Sequence, residues 1–152
     1  MIILKSPEEI EAMRRAGRVV ALAHRRIAEA IRPGIRTKDL DALALEVLKA
    51  EGAIPSFKGY QGYPANICVS VNEQVVHGIP GNTVLREGDI VSVDIGAIVD
   101  GFHGDAAWTY PVGEVDEAAQ ALLRAGEGAL YAGIEKARPG NRLSDISHAV
   151  QV

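Results

Sequence analysis

Two aspartates flank an Asp-Gly turn in the run Asp94-Ile95-Gly96-Ala97-Ile98-Val99-Asp100-Gly101-Phe102-His103-Gly104-Asp105. Ile90 to Val93 leads in with β-branched residues, and Ala106 to Tyr110 leads out. Asp-Gly between such runs is a strong signal for a two-residue hairpin turn. With Asp100 and Gly101 as the turn, Val99 pairs with Phe102 and Asp94 with Ala107. Asp105 is then a diagonal neighbour of Asp94 on the same face, with Cβ atoms about 7–8 Å apart. Like charges that close repel unless a proton or a cation separates them. The cation reading favours hard divalent ions such as Mn, Fe, Co, Zn or Mg, and two carboxylates can serve a pair of ions about 3.5–4 Å apart. The bland reading is a turn cap and a solvent-facing side chain. Two carboxylates cannot complete a site, since a metal takes four or more donors.

Other residues with chemical potential surround this pair. His77, in Val75-Val76-His77-Gly78-Ile79-Pro80, precedes a glycine that permits close approach of a backbone or substrate. It suits hydrogen bonding or proton transfer in a cleft, or else a loop histidine satisfied by backbone. Gly59-Tyr60-Gln61-Gly62-Tyr63-Pro64 sets two tyrosines in a glycine-spaced loop, able to line a small pocket or to tuck into the core. Cys68 alternates with apolar neighbours and has no adjacent activating group, so it reads as core or pocket wall rather than nucleophile. His103 shares the ideal face of Asp105 and is a rival ligand, but it lies next to the turn. His24, among Arg25 and Arg26, reads as solvated or packed.

The elements that position these residues follow from local patterns. Ser6-Pro7-Glu8-Glu9 is a capping box with proline at the first helical position. The helix after it carries Ile10, Met13, Ala16, Val20, Ala23, Ile27 and Ile31 as an apolar stripe running to Arg32, where Pro33-Gly34 stops it. Thr37 is expected to cap a second helix with Leu40, Leu43, Ala44, Val47 and Leu48, ended by Gly52. Residues 53–65 read as irregular, Asn66 to Val71 as a strand, and Leu85 to Asp89 as a turn. A third helix spans roughly Asp116 to Ala137, with an acidic first turn suited to the helix dipole.

The chain also repeats itself. Arg32-Pro33-Gly34, Arg36 and Asp39 recur as Arg138-Pro139-Gly140, Arg142 and Asp145, each copy following a long helix. Five identities at one offset favour duplication. Copy two stops at Val152, early in a helix from Ser144 that has little to pack against, so the sequence reads as cut off.

Composition bounds the class. The 152 residues, 47% hydrophobic, suffice for one globular domain. A net charge of −4 gives no reason to expect nucleic-acid binding. One cysteine excludes an internal disulfide and points to a reducing compartment, with the cytoplasm as default. The short apolar run before Lys5 is neither a signal peptide nor a membrane span.

Five runs together resemble the bacterial-type (type I) methionine aminopeptidase family: Gly59 to Pro64, Cys68 to Glu73, His77 to Pro80, Asp89 to Gly96 and Asp100 to Asp105. Their order and spacing match throughout the chain, and no zinc-binding or basic extension precedes them. The resemblance implies the α/β pita-bread fold of two pseudo-symmetric halves. The first would occupy about 1–112, and the second would begin near 113 and be cut at 152, within one peptidase domain. It implies a centre of two divalent ions (Co, Mn, Fe, Zn or Ni). Asp94 would bind one ion through both oxygens, and Asp105 would bridge the two. His77 would contact substrate near the scissile peptide, while Tyr60, Tyr63, Cys68 and Phe57 would line the methionine pocket. Phe57 stands where the family often has cysteine, which would slightly alter the far wall. The implied activity is removal of methionine from nascent polypeptide N-termini, at or near the ribosome and away from membranes, by a monomer. The remaining ligands, a histidine and two glutamates, would belong to the second half beyond Val152. The chain would then carry two of five ligands, be inactive alone, and be open to self-association. Related alternatives are an aminopeptidase P or prolidase relative, and a non-catalytic half-fold module for binding or assembly.

Overall fold

The computed structural model describes residues 3–152, so the reading of Met1 and Ile2 lies outside the described residues. The chain forms two compact units, Met1–Glu114 and Val115–Val152.

In the first unit, α1 (Pro7–Ala30) starts at the expected capping box. Ser6 accepts from the Glu9 amide, and the Glu9 carboxylate accepts from the Ser6 amide. Its buried face is Ala12, Ala16, Val19, Val20, Ala23 and Ile27. Ile10 and Met13, expected in the stripe, are largely exposed. The face rotates toward alanine and glycine because the helix backbone comes very close to a strand. A Cβ on Gly104 would collide with the backbone of Ala16 and Gly17. The helix ends at Ala30, one residue before its cap Ile31 and short of Arg32. In α2 (Thr37–Ala50), Leu40, Ala44, Val47 and Leu48 are buried as expected. Thr37 is not the cap. Arg36 holds that position, its amide and guanidinium both donating to Asp39, while the Thr37 hydroxyl turns to the backbone of Gly81.

Four antiparallel strands make the sheet: β1 (Ile54–Pro55), β2 (Ile67–Val71), β3 (Ile90–Val99) and β4 (Phe102–Pro111). β3 pairs with β1 and β2 along one edge and with β4 along the other. The hairpin register is the expected one, with Val99 opposite Phe102 and Asp94 opposite Ala107. Asp100 and Gly101 both have positive φ, the conformation of a tight turn that matches strand twist. Period-two alternation divides the sheet into two faces. Ile67, Val69, Val91, Val93, Ile95 and Ala97 are buried in the core with α1 and α2, each fully buried Val or Ile side chain contributing about 1.5–3 kcal/mol. Cys68, Ser70, Ser92, Asp94, Gly96, Asp105 and Thr109 occupy the other parity.

The second unit contains α3 (Glu117–Lys136) and α4 (Leu143–Gln151). Asp116 caps α3 by accepting from the Ala119 amide. α4 begins at Leu143 rather than Ser144, and it does find a partner: Val150 and Ile146 come close to Gly133 of α3. The repeat is also structural. Gly34 and Gly140 share φ +92°, and the amides of Arg36 and Arg142 donate in the same way to Asp39 and Asp145 at the starts of their helices. The starts of α2 and α4, Thr37 and Leu143, keep the offset of the sequence repeat.

Candidate metal centre and pocket

Asp94 lies at the middle of β3, paired with Cys68 on one side and Ala107 on the other. Asp105 faces Gly96, two residues along the same face. Asp94 Oδ1 is buried and has no hydrogen-bond partner among the described residues. Desolvation, then the facing charge of Asp105, raise the Asp94 carboxyl from 3.8 to about 6, with His77 acting in the opposite direction. An orphaned buried carboxylate oxygen beside a second carboxylate is costly unless a proton or a cation meets it. Hard oxygen donors in this arrangement fit a divalent metal. Among the described residues, no group of three or more His, Cys, Asp and Glu is arranged to hold a metal ion, so further donors are needed.

The side chains around the carboxylates come from β2 and from the loops on both sides of it. His77 has φ +58°, and Gly78 after it lies so close to β2 that a Cβ would collide with the Val69 carbonyl. The Gly78 amide donates to Ser70 Oγ at 3.1 Å, and the Val69 amide donates to the Gly78 carbonyl at 2.9 Å. These bonds strap the His77 loop beside the site, which is the close approach the glycine predicted. The Tyr63 hydroxyl lies 3.1 Å from the carbonyls of both Ile67 and Gly78, linking that strap to the start of β2. Burial, and then Cys68, push the Tyr63 hydroxyl well above its ordinary range. Burial also pushes the Cys68 thiol up; Tyr63 opposes this, and Asp94 and Asp105 add to it. A protonated, buried thiol is a wall, not a nucleophile. The Phe57 ring and Ser56 cover Gly96, leaving no room for a Cβ there. His103 is tied to Ser56 Oγ at 3.0 Å.

The structure therefore gathers Asp94, Asp105, Cys68, Tyr63, His77 and Phe57 around one sheet face. Tyr60 stands apart. It is 68% exposed in a 3-10 turn (Tyr60–Gly62), its hydroxyl accepting from Gln61.

Sequence reasoning missed Asp41. From α2 its carboxylate accepts from the Asn66 amide at 2.8 Å, the Asn66 side chain at 2.6 Å and the Ile67 amide at 3.1 Å. It thereby fixes where the tyrosine loop enters β2. The available signal was an acid next to Leu40 in the apolar stretch of α2. Asp41→Ala strands these donors in a partly buried place and is expected to cost about 2 kcal/mol, measured by urea unfolding. An unchanged midpoint would contradict the clamp.

A two-layer sheet-and-helix unit with paired carboxylates on the sheet face away from the helices fits a pita-bread metallohydrolase scaffold. The chain belongs to metallopeptidase family M24, whose profile matches residues 11–152. It is 57% identical over 151 residues to methionine aminopeptidase 1 of Bacillus subtilis, covering 99% of this chain and 61% of that protein. It superposes on the crystal structure of methionine aminopeptidase from Thermotoga maritima with a TM-score of 0.97 and 49% identity, covering 99% of this chain and 61% of the other. A prolidase from Pyrococcus furiosus gives 0.84 at 22% identity over 98% of this chain and 43% of its own, a likeness of fold. The chain thus spans about three-fifths of the length of its methionine aminopeptidase relatives.

Proposed function

We propose that this chain supplies the first-half portion of a dinuclear-metal aminopeptidase that removes N-terminal methionine from nascent proteins in the cytoplasm. The observation that carries the reading is the buried, unpartnered Asp94 oxygen beside Asp105, on a sheet face bordered by Cys68, Tyr63 and His77. Asp94 and Asp105 would hold two divalent ions drawn from Co, Mn, Fe, Zn or Ni. When bound, the metal pair supplies Lewis acidity and a nucleophile at neutral pH. Phe57, Cys68 and Tyr63 would wall an apolar slot for the unbranched methionine side chain and exclude water from it. His77 would donate a hydrogen bond to the carbonyl oxygen of the scissile peptide, where negative charge develops. A histidine and two glutamates of the second half would complete the ligand set. The higher similarity to methionine aminopeptidases than to prolidase favours this substrate over a proline-containing one.

Mn2+ or Co2+ is expected to raise the melting temperature of the 152-residue chain, while hydrolysis of Met-Ala-Ser stays at background because two ligands do not complete the centre. Turnover comparable to that of a complete two-metal hydrolase would refute incompleteness. The absence of any metal effect on melting up to millimolar concentration would refute the metal site.

A further inference from the structure

The strand that carries Asp105 is fastened to α1 immediately on both sides of that residue. On one side, Gly104 is buried against the backbone of Ala16 and Gly17, a contact only glycine allows. On the other, His24 Nε2 lies 2.9 Å from the Ala106 carbonyl oxygen. A carbonyl only accepts, so Nε2 carries the proton. His24 Nδ1 is 2.9 Å from the Tyr110 hydroxyl, which also lies 3.2 Å from the His24 carbonyl. Burial holds the imidazole below its ordinary range, consistent with a neutral ring donating at Nε2 and accepting at Nδ1. The Tyr110 ring is tilted 34° to the imidazole at a centroid distance of 6.2 Å. Nothing in the chemistry described above uses this histidine.

We propose that His24 is a positioning residue for Asp105, acting through the Ala106 carbonyl to hold β4 on α1 so that the Asp105 carboxylate stays opposite Gly96 and beside Asp94. The Ala106 carbonyl sets the tautomer, the Tyr110 hydroxyl steadies the ring from its Nδ1 side, and the Gly104 contact is the second fastening. The proposal rests on the reading of Asp105 as a metal ligand. Hydrogen-bonded residues that orient ligands without touching metal are worth about 10–100-fold in affinity, and one acting through a single backbone carbonyl belongs at the low end.

The test compares His24→Phe, which keeps bulk but donates nothing, with His24→Gln, whose side-chain amide can still donate to Ala106. Amide hydrogen exchange of the metal-free chain is the first readout. His24→Phe is expected to speed exchange across residues 103–108 while β2 keeps its protection, and His24→Gln to restore the wild-type pattern. Titration with Co2+, followed by its visible ligand-field bands, is the second. His24→Phe should weaken binding by about tenfold and alter the bands, with His24→Gln recovering both. Unchanged exchange in His24→Phe, equal effects of the two variants, or acceleration spread over the whole chain would overturn the proposal. If the wild-type chain shows no Co2+ bands, the metal reading fails, and the exchange pattern still decides whether His24 fastens β4.

Discussion

Replacing Gly104 with alanine is expected to destabilise the chain by about 3 kcal/mol and to separate α1 from the hairpin. The added Cβ would meet the Ala16 carbonyl and the Gly17 amide, which are helix backbone. Flexible side chains can swing away from a new methyl group, but a helix backbone must move as a body. Such a shift withdraws Ala16, Val20 and Ala23 from a core in which Ala16 and Ala23 are fully buried. It also pulls on the segment next to Asp105, so metal protection should fall along with stability. Urea unfolding with and without Co2+ gives both numbers. A fall in stability with undiminished Co2+ protection would show that the α1 contact does not reach Asp105. Wild-type stability would show that the helix yields without cost. Gly17→Ala makes a useful control, because a Cβ at that position meets nothing within 4 Å.

The contrast between Gly104 and Asp41 shows what the sequence can reveal. The hairpin was legible because Asp-Gly dictates a turn conformation and the period of two then assigns every side chain to a face. Asp94 and Asp105 could be placed on one face from spacing alone, and the pairs Asp94–Ala107 and Gly96–Asp105 follow that register. The repeat was legible for the same reason, since Gly34 and Gly140 mark the same backbone event. Periodicity was less informative for α1. It identified a helix, yet placed Ile10 and Met13 in the core, because hydrophobic spacing cannot say how closely a helix approaches its neighbour. Thr37 misled as a cap because a more distant acceptor, the Gly81 backbone, took its hydroxyl. Asp41 and His24 were invisible as positioning groups because their partners lie 25 and more residues away. Local chemistry is written in local sequence; a polar side chain committed to a distant strand looks like any surface residue until the strands are folded.

Asp94→Asn is expected to make the metal-free chain more stable while abolishing its response to metal. The native carboxyl is raised from 3.8 to about 6, so the folded state binds the proton more tightly than the unfolded state does. Between about pH 4 and 6 the folded chain therefore holds more protons, and stability falls as pH rises. The loss is complete above about pH 7 and absent below about pH 4. A shift of this size corresponds to about 3 kcal/mol at 1.36 kcal/mol per unit. The carboxylate is only half-buried, and solvent screening brings the expected figure to about 1–2 kcal/mol. Asparagine keeps the shape, removes the charge facing Asp105, and can offer an N–H in its place. The metal-free variant should therefore gain about 1–2 kcal/mol at pH 7.5, lose the dependence of stability on pH between 4 and 6 that Asp94 contributes, and be indistinguishable from wild type near pH 4. As the proposed direct ligand, Asp94 should contribute more than the 10–100-fold that indirect partners contribute to affinity, so Mn2+ or Co2+ should raise the melting temperature of the wild type but not of the variant. Thermal unfolding across pH 4–8, with and without Mn2+, separates the two effects. A variant less stable than wild type at pH 7.5 without metal would mean that the Asp94 carboxylate is satisfied within the chain, and the case for a cation between Asp94 and Asp105 would lose its physical basis.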